Sequence, residues 1–105
     1  MSIFEQFEQW SSEKSKFLEK EGILITFVQC PPTENSAAYI DIQSEKVFAR
    51  ATLWESMDMS FEAIEANSAK SLIFETQKTK DMQEVFSLLD HFFLASNRTS
   101  VPWEL

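Results

Sequence analysis

The sequence predicts an α+β fold with an N-terminal helix, an antiparallel meander of about four to five strands and a C-terminal helix. Amphipathic helical stripes occur near the two ends of the chain. Between them lie short β-branched and aromatic runs separated by polar turns. The links between these runs are too short for crossover helices, so consecutive strands should pair antiparallel. Each helix has one apolar stripe, and we expect both helices on one sheet face, with the other face open.

The first helix is predicted from about Ile3 to Glu21. Ser2 and Glu5 have the spacing of a capping box, in which each side chain accepts a hydrogen bond from a free backbone N–H of the first turn. Gly22, the single glycine of the chain, is placed for a left-handed C-terminal cap. Apolar residues recur between these signals at helical spacing, at Ile3, Phe7, Trp10, Phe17 and Leu18.

The middle of the chain contains five candidate strands. Pro31-Pro32 ends the first of them, because proline cannot donate to a strand ladder. For the fourth candidate, the sequence does not decide between strand and helix, because Glu, Ala and Met also favour helix. The candidate strands are residues 23–30, 37–43, 46–55, 59–67 and 71–77.

The second helix is predicted to begin after Asp81, which with Glu84 repeats the capping-box spacing, and to end near Asn97. Residues 98–105 are expected to form an irregular tail. Without a linker, repeat or low-complexity segment, we expect one domain over residues 1–105. The apolar stripe of this helix comprises Met82, Val85, Phe86, Leu89, Phe92 and Phe93.

Net charge narrows the classes of partner. The chain has 17 acidic and 9 basic residues and a formal charge of −8. Phosphate backbones and anionic lipids repel such a protein, so we expect neither nucleic-acid nor membrane binding and favour a basic protein partner. A single cysteine cannot form an internal disulfide, which fits a reducing cytoplasm. The N-terminus lacks a secretory signal, and no apolar run reaches the ~20 residues of a membrane span.

No motif indicates catalysis, a metal site or a cofactor. One glycine cannot make a phosphate-cradling loop, and one cysteine with one histidine cannot build a zinc site. Cys30 and His91 have the chemistry of a nucleophile and a base, but no third orienting group is indicated. We therefore read Cys30 as a small apolar residue at a strand end and His91 as a solvated helix residue, and we expect no enzyme.

The third strand raises the main functional question. Val47, Ala49, Ala51 and Leu53 alternate with residues that a half-buried strand should turn to water. The residues expected to face water should be polar, but two of the four are large aromatics. These four residues are Phe48, Arg50, Thr52 and Trp54.

Neighbouring strands extend the same surface. Tyr39 and Asp41 precede it, Glu62 and Ile64 follow it, and the fifth strand adds Ile73 and Glu75 or the residues that alternate with them. Aromatic residues and arginine dominate interface hot spots, while cross-strand pairing that only stabilises the sheet is the alternative. A cover of this face by the tail is a further possibility. The predicted partner-binding set is Tyr39, Asp41, Phe48, Arg50, Trp54, Glu55, Asp58, Glu62 and Glu75.

Four stretches resemble the TriTu family of bacterial immunity proteins, antidotes to polymorphic and contact-dependent growth-inhibition toxins. They are FEQWSSEKSKFLEKEG in the first helix, the hydrophobic strand after Gly22, ARATLWES in the third strand and FSLLDHFF in the second helix. The resemblance covers most of the chain as a pattern of elements, and ARATLWES is its most specific part. Arg50, Trp54 and Glu55 lie in that part.

The resemblance implies a cytoplasmic, non-enzymatic protein that binds the C-terminal domain of its cognate toxin and blocks it, as monomer or homodimer. An acidic aromatic surface fits the basic cleft that a nuclease toxin needs. A small acidic secretion chaperone, which holds an effector segment and usually dimerises, is the alternative class of binder.

Overall fold

The structure is a computed structural model that describes residues 2–97, with side chains for residues 2–93. It confirms the predicted α+β class, with five antiparallel strands between two helices. The fourth candidate segment, for which the sequence did not decide between strand and helix, is a strand, and the predicted tail of residues 98–105 lies outside the described residues. In chain order the elements are α1 (Ile3–Leu18), a 3₁₀ turn (Glu19–Glu21), β1 (Leu24–Gln29), β2 (Ala37–Gln43), β3 (Val47–Trp54), β4 (Asp58–Glu65), β5 (Ser71–Lys78) and α2 (Met82–Asn97).

Both ends of α1 form as their residues predict. The Ser2 N–H donates to Glu5 Oε1 at 3.0 Å, and the Glu5 N–H donates to Ser2 Oγ at 3.1 Å. The hydrogen bond that the Ser2 backbone N–H donates to the Glu5 carboxylate is the main reason that the pKa of Glu5 is lowered, and the Ser2 hydroxyl adds to it. Gly22 has φ of 77°, and its N–H donates to the Glu19 carbonyl at 3.2 Å. The left-handed glycine therefore ends the helical segment and leads the chain into β1.

The start of α2 differs in one detail from the predicted capping box. The Glu84 N–H donates to Asp81 Oδ1 at 2.9 Å, as expected. Glu84 Oε1, however, accepts from the Lys80 N–H at 3.3 Å instead of from the Asp81 N–H. The reciprocal half of the box is shifted by one residue, and it still satisfies a backbone donor just before the helix.

The sheet is a meander in the order β1-β2-β3-β4-β5, with every neighbouring pair antiparallel. Ile40 on β2 lies opposite Ala51 on β3, which lies opposite Phe61 on β4. All three are buried. Because side chains alternate between faces, this register assigns every residue of the three central strands to one side of the sheet.

Both helices pack on the face that carries this buried row. The Phe7 and Phe27 rings meet edge to face at 5.7 Å, which joins α1 to β1. Phe92 of α2 lies 4.9 Å from Phe61, between ring centroids. The predicted placement of both helices on one sheet face is confirmed, and small residues beneath them leave room for the close approach: Ala38, Ala49, Ala51 and Ala63.

The sequence wrongly predicted that Phe17 belongs to the buried apolar stripe of α1. Phe17 is 74% exposed, whereas Phe4, which the prediction omitted, is only 8% exposed. On the helical wheel Phe17 lies about 20° beyond Trp10, at the margin of the buried stripe. It is also in the last turn, so spacing alone did not distinguish this edge position from the core.

None of the helices within residues 2–97 has the length and hydropathy needed to cross a membrane.

Replacing Gly22 tests the left-handed cap. A Cβ at this position would meet nothing within 4 Å, so only the backbone conformation opposes a side chain. We expect Gly22→Ala to lower the free energy of unfolding by about 1 kcal/mol, because an L-residue is strained at positive φ. Gly22→Asn should cost less, since asparagine tolerates this region better. Urea unfolding of the three proteins measures both values, and an alanine variant as stable as the parent would contradict the assignment.

Candidate functional site: the outer sheet face

The sheet face opposite the two helices is here called the outer face. It carries the side chains that alternate, along each strand, with those on the helix side. Leu53 is fully buried beneath the helices, and Trp54, the next residue, points to the other side. Trp54 is half-buried and is not among the described side chains that pack against the helix-side core. The β3 side chains on the outer face are therefore Phe48, Arg50, Thr52 and Trp54.

The strand register brings most of the predicted partner-binding residues onto this face. Asp41, Arg50 and Glu62 form one row across β2, β3 and β4. Tyr39 lies two residues before Asp41 on β2, on the same face and opposite Thr52. Asp58, the first residue of β4, lies opposite Lys78 and alternates in phase with Glu62, so it also faces outward, whereas Glu55 lies in the β3–β4 turn.

The prediction for Glu75 is wrong as to face. Glu75 lies opposite Phe61 and so belongs to the helix side, where it is exposed at the sheet edge. Phe74, opposite Glu62, takes the outer position. The sequence of β5 did not show which of its two sets of alternating residues faces outward, because each set mixes apolar and polar residues. Only pairing with β4, which shifts register between Ala63 and Ile64, fixes which set faces out.

The outer face exposes large apolar side chains. Phe48 is 42% exposed, Leu24 on edge strand β1 is 55% exposed, and Phe74 on edge strand β5 is 78% exposed. The predicted partner-binding set omitted Leu24 and Phe74. The alternation of β1 carried the signal for Leu24, because Ile25 pairs with the buried Ile42 and its neighbour must then point outward. No such signal existed for Phe74.

Arg50 is held rigidly in the middle of this face. Its Nε donates to Asp41 Oδ1 at 2.6 Å and its Nη2 donates to Oδ2 at 3.1 Å, a bidentate pair. The guanidinium also lies 4.0 Å from the centroid of the Tyr39 ring. The hydrogen bond to Asp41 is the main reason that the pKa of Arg50 is raised, and the charge of Glu62 contributes less. With both groups nearly half exposed, the ion pair is worth no more than about 1 kcal/mol, and its main effect is to fix the position of the two side chains.

Beside this pair lies a shallow hollow, here called the Phe48 depression. Phe48 and Ile64 face each other across β3 and β4 and form its apolar side. Glu62 is exposed beside them and makes no ion pair or hydrogen bond with any residue that the structure describes. The depression has a volume of about 400 Å³ and is lined by Asp41, Ile42, Gln43, Phe48, Ala49, Arg50, Glu62 and Ile64.

The turn that follows Trp54 is held by polar contacts. Ser56 Oγ donates to Asp58 Oδ2 at 2.7 Å, and Lys78 Nζ lies 3.5 Å from Asp58 Oδ1. The Ser56 N–H donates to Asn35 Oδ1 at 3.0 Å, which ties this turn to the loop before β2. The hydrogen bond from Ser56 lowers the pKa of Asp58, and the charge of Lys78 adds to it. The acidic end of the outer face is thus ordered before any partner arrives.

Cys30 and His91 have ordinary surroundings. Cys30 is half-buried just after β1, where its N–H donates to the Ala37 carbonyl at 3.0 Å. His91 is exposed on α2. Over residues 2–97 no group of three His, Cys, Asp or Glu side chains is placed to hold a metal ion.

Comparison with known protein families identifies a match over most of the chain. The sequence pattern of the family described as "Immunity protein TriTu" matches residues 5–95. The match therefore includes all five strands and most of both helices. No curated protein matches the chain.

Titration of Asp58 tests the geometry of the β3–β4 turn. Its pKa is lowered in the folded chain, so its contribution to stability is present above the unfolded pKa and is lost as pH falls through the folded one. Ser56→Ala removes the largest cause and should raise the pKa of Asp58 toward its ordinary value. Ser60→Ala, two residues further along β4, should leave it unchanged. Carboxyl-detected NMR titration measures each pKa, and equal values in the parent and Ser56→Ala would contradict the hydrogen bond.

Proposed function

This chain belongs to the TriTu family of immunity proteins, and on that premise we propose that it neutralises a cognate toxin domain by binding it through the outer face. The inhibition is steric and uses no catalysis. The toxin is the C-terminal domain of a polymorphic or contact-dependent growth-inhibition protein, and neutralisation takes place in the cytoplasm. The residues that contact it are those of the predicted set that lie on the outer face or at its turn: Tyr39, Asp41, Phe48, Arg50, Trp54, Glu55, Asp58 and Glu62.

The observation that carries this proposal is a sheet face with exposed aromatics and no described element packed over it. Both described helices lie on the opposite side. Phe48 and the half-buried Trp54 flank Arg50 on the same strand. Aromatic residues with an arginine between them are the composition of interface hot spots, where a few side chains supply most of the binding energy.

The charge of the chain supports a basic partner. The formal charge of −8 raises the rate of encounter with a positively charged protein surface and makes that rate fall with salt. A nuclease toxin needs a basic cleft for its substrate, and an acidic face can occupy such a cleft without reacting. We therefore propose a nuclease as the class of toxin, with association driven by charge and dissociation slowed by the buried aromatics.

Alanine substitutions on β3 separate binding from folding. Trp54→Ala and Phe48→Ala should each weaken binding to the toxin domain by about tenfold or more, the loss expected for hot-spot aromatics. Both should cost less stability than Leu53→Ala, which removes a fully buried side chain and should cost about 2–5 kcal/mol. Calorimetric titration against the toxin domain encoded beside this gene measures the affinities, and urea unfolding measures the stabilities.

Phe17→Ala is the matched control, since it removes an equally large exposed ring from α1, on the other side of the sheet. It should change neither affinity nor the rescue of toxin-inhibited cells. If Trp54→Ala and Phe48→Ala unfold the protein but leave affinity unchanged, the outer aromatics are structural and another surface binds the toxin. If the parent chain forms no complex with the toxin domain, the proposal as a whole is wrong.

A further inference from the structure

We infer that the Phe48 depression receives one basic side chain, lysine or arginine, from the toxin domain, with the Glu62 carboxylate as its charge partner. This inference rests on the proposed function and makes it specific, because it names one site within the outer face and the chemistry of the group that enters it. It follows from the pairing of the charges, the apolar side of the depression and the position of both within the sheet.

The charges around the depression do not balance. Asp41 and Arg50 are paired with each other through two hydrogen bonds, so their charges cancel. Glu62 lies across from Arg50 on β4 and has no ion pair or hydrogen bond with any described residue. Two carboxylates and one guanidinium leave one negative charge, which one cation neutralises. An anionic ligand would instead compete with Asp41 for Arg50, the one cation among the described residues of the lining.

The apolar side of the depression suits the stem of a long basic side chain. Phe48 is 42% exposed and lies opposite the half-buried Ile64. Lysine and arginine bury their methylene stems on apolar surface while the charged head reaches a polar partner. Here the stem would lie along Phe48 and Ile64, and the head would reach Glu62, the next outward residue on β4. A short or neutral side chain would leave Glu62 desolvated without a partner, so the depression discriminates against it.

The position in the sheet makes the site rigid. Glu62, Arg50 and Asp41 lie on the three central strands, each paired on both sides. The bidentate bond to Asp41 and the contact with the Tyr39 ring fix the position of Arg50, which makes no ion pair or hydrogen bond with Glu62. A partner side chain therefore meets a carboxylate whose neighbours are already ordered, which reduces the entropy lost on binding.

The direct test compares two substitutions that each remove one negative charge and keep the side-chain size. Glu62→Gln changes the proposed site. Glu75→Gln is the matched control, because Glu75 is an exposed glutamate on the neighbouring strand that points to the opposite sheet face. The toxin domain is obtained by co-expression with this chain, separated in denaturant and refolded, and association and dissociation rates are measured at several salt concentrations.

We expect Glu62→Gln to raise Kd by about 10- to 100-fold and to increase the dissociation rate, as loss of a paired charge inside an interface does. Glu75→Gln should change Kd by less than about twofold, as for a distant exposed charge. Equal effects of the two substitutions on a complex that still forms would overturn the inference and leave the proposed function intact. Failure of the parent chain to bind the toxin domain would overturn both.

A charge exchange identifies the basic residue. In the Glu62→Lys background, binding should be lost, and toxin variants with single Lys→Glu or Arg→Glu substitutions are then screened for its return. We expect one such toxin variant to bind Glu62→Lys at least about tenfold more tightly than it binds the parent chain, because the exchange restores opposite charges at the site. If no single exchange restores binding, the depression does not hold one basic side chain.

Discussion

The alternation of strand β3 is the constraint on which the rest of this structure depends. Leu53 and Ala51 must be buried because both helices pack on their side of the sheet. Since successive strand residues point to opposite faces, Arg50, Thr52 and Trp54 must then lie on the outer face. A register slip of one residue would expose the buried row and bring a guanidinium beneath the helices, at a cost that no surface contact offsets. The core thus determines which side chains lie on the outer face, the surface proposed to bind the toxin.

The outer face is organised as well as exposed. The Asp41 carboxylate and the Tyr39 ring position Arg50, and the Ser56 hydroxyl positions Asp58. Each of these contacts contributes little to stability because it is open to water. Together they order the polar groups around two aromatic side chains before binding, so that less entropy is lost in the complex. This combination fits an inhibitor that must associate quickly and dissociate slowly.

Strong local signals predicted most of the fold. The Ser2–Glu5 box, Gly22 and the alternation in β2 and β3 each point to one structure, so the helix ends and the central register follow from the sequence. The face of Glu75 did not, because both alternation sets of β5 are mixed and only its pairing with β4 decides between them. The exposure of Phe17 also depended on tertiary packing at the end of α1. Nor could the sequence show that Arg50 bonds Asp41 and that Glu62 makes no ion pair with any residue that the structure describes.

Methyl cross-saturation NMR on the complex tests most directly whether the outer face binds the toxin domain. The chain is methyl-labelled and otherwise deuterated, the protons of the toxin domain are saturated, and loss of intensity reports which methyl groups lie at the interface. We expect losses at Ile64 and Val28, whose strand positions face outward, and none at Ile3 and Leu88 on the helices. Losses at Ile3 and Leu88 with Ile64 and Val28 unaffected would contradict binding through the outer face.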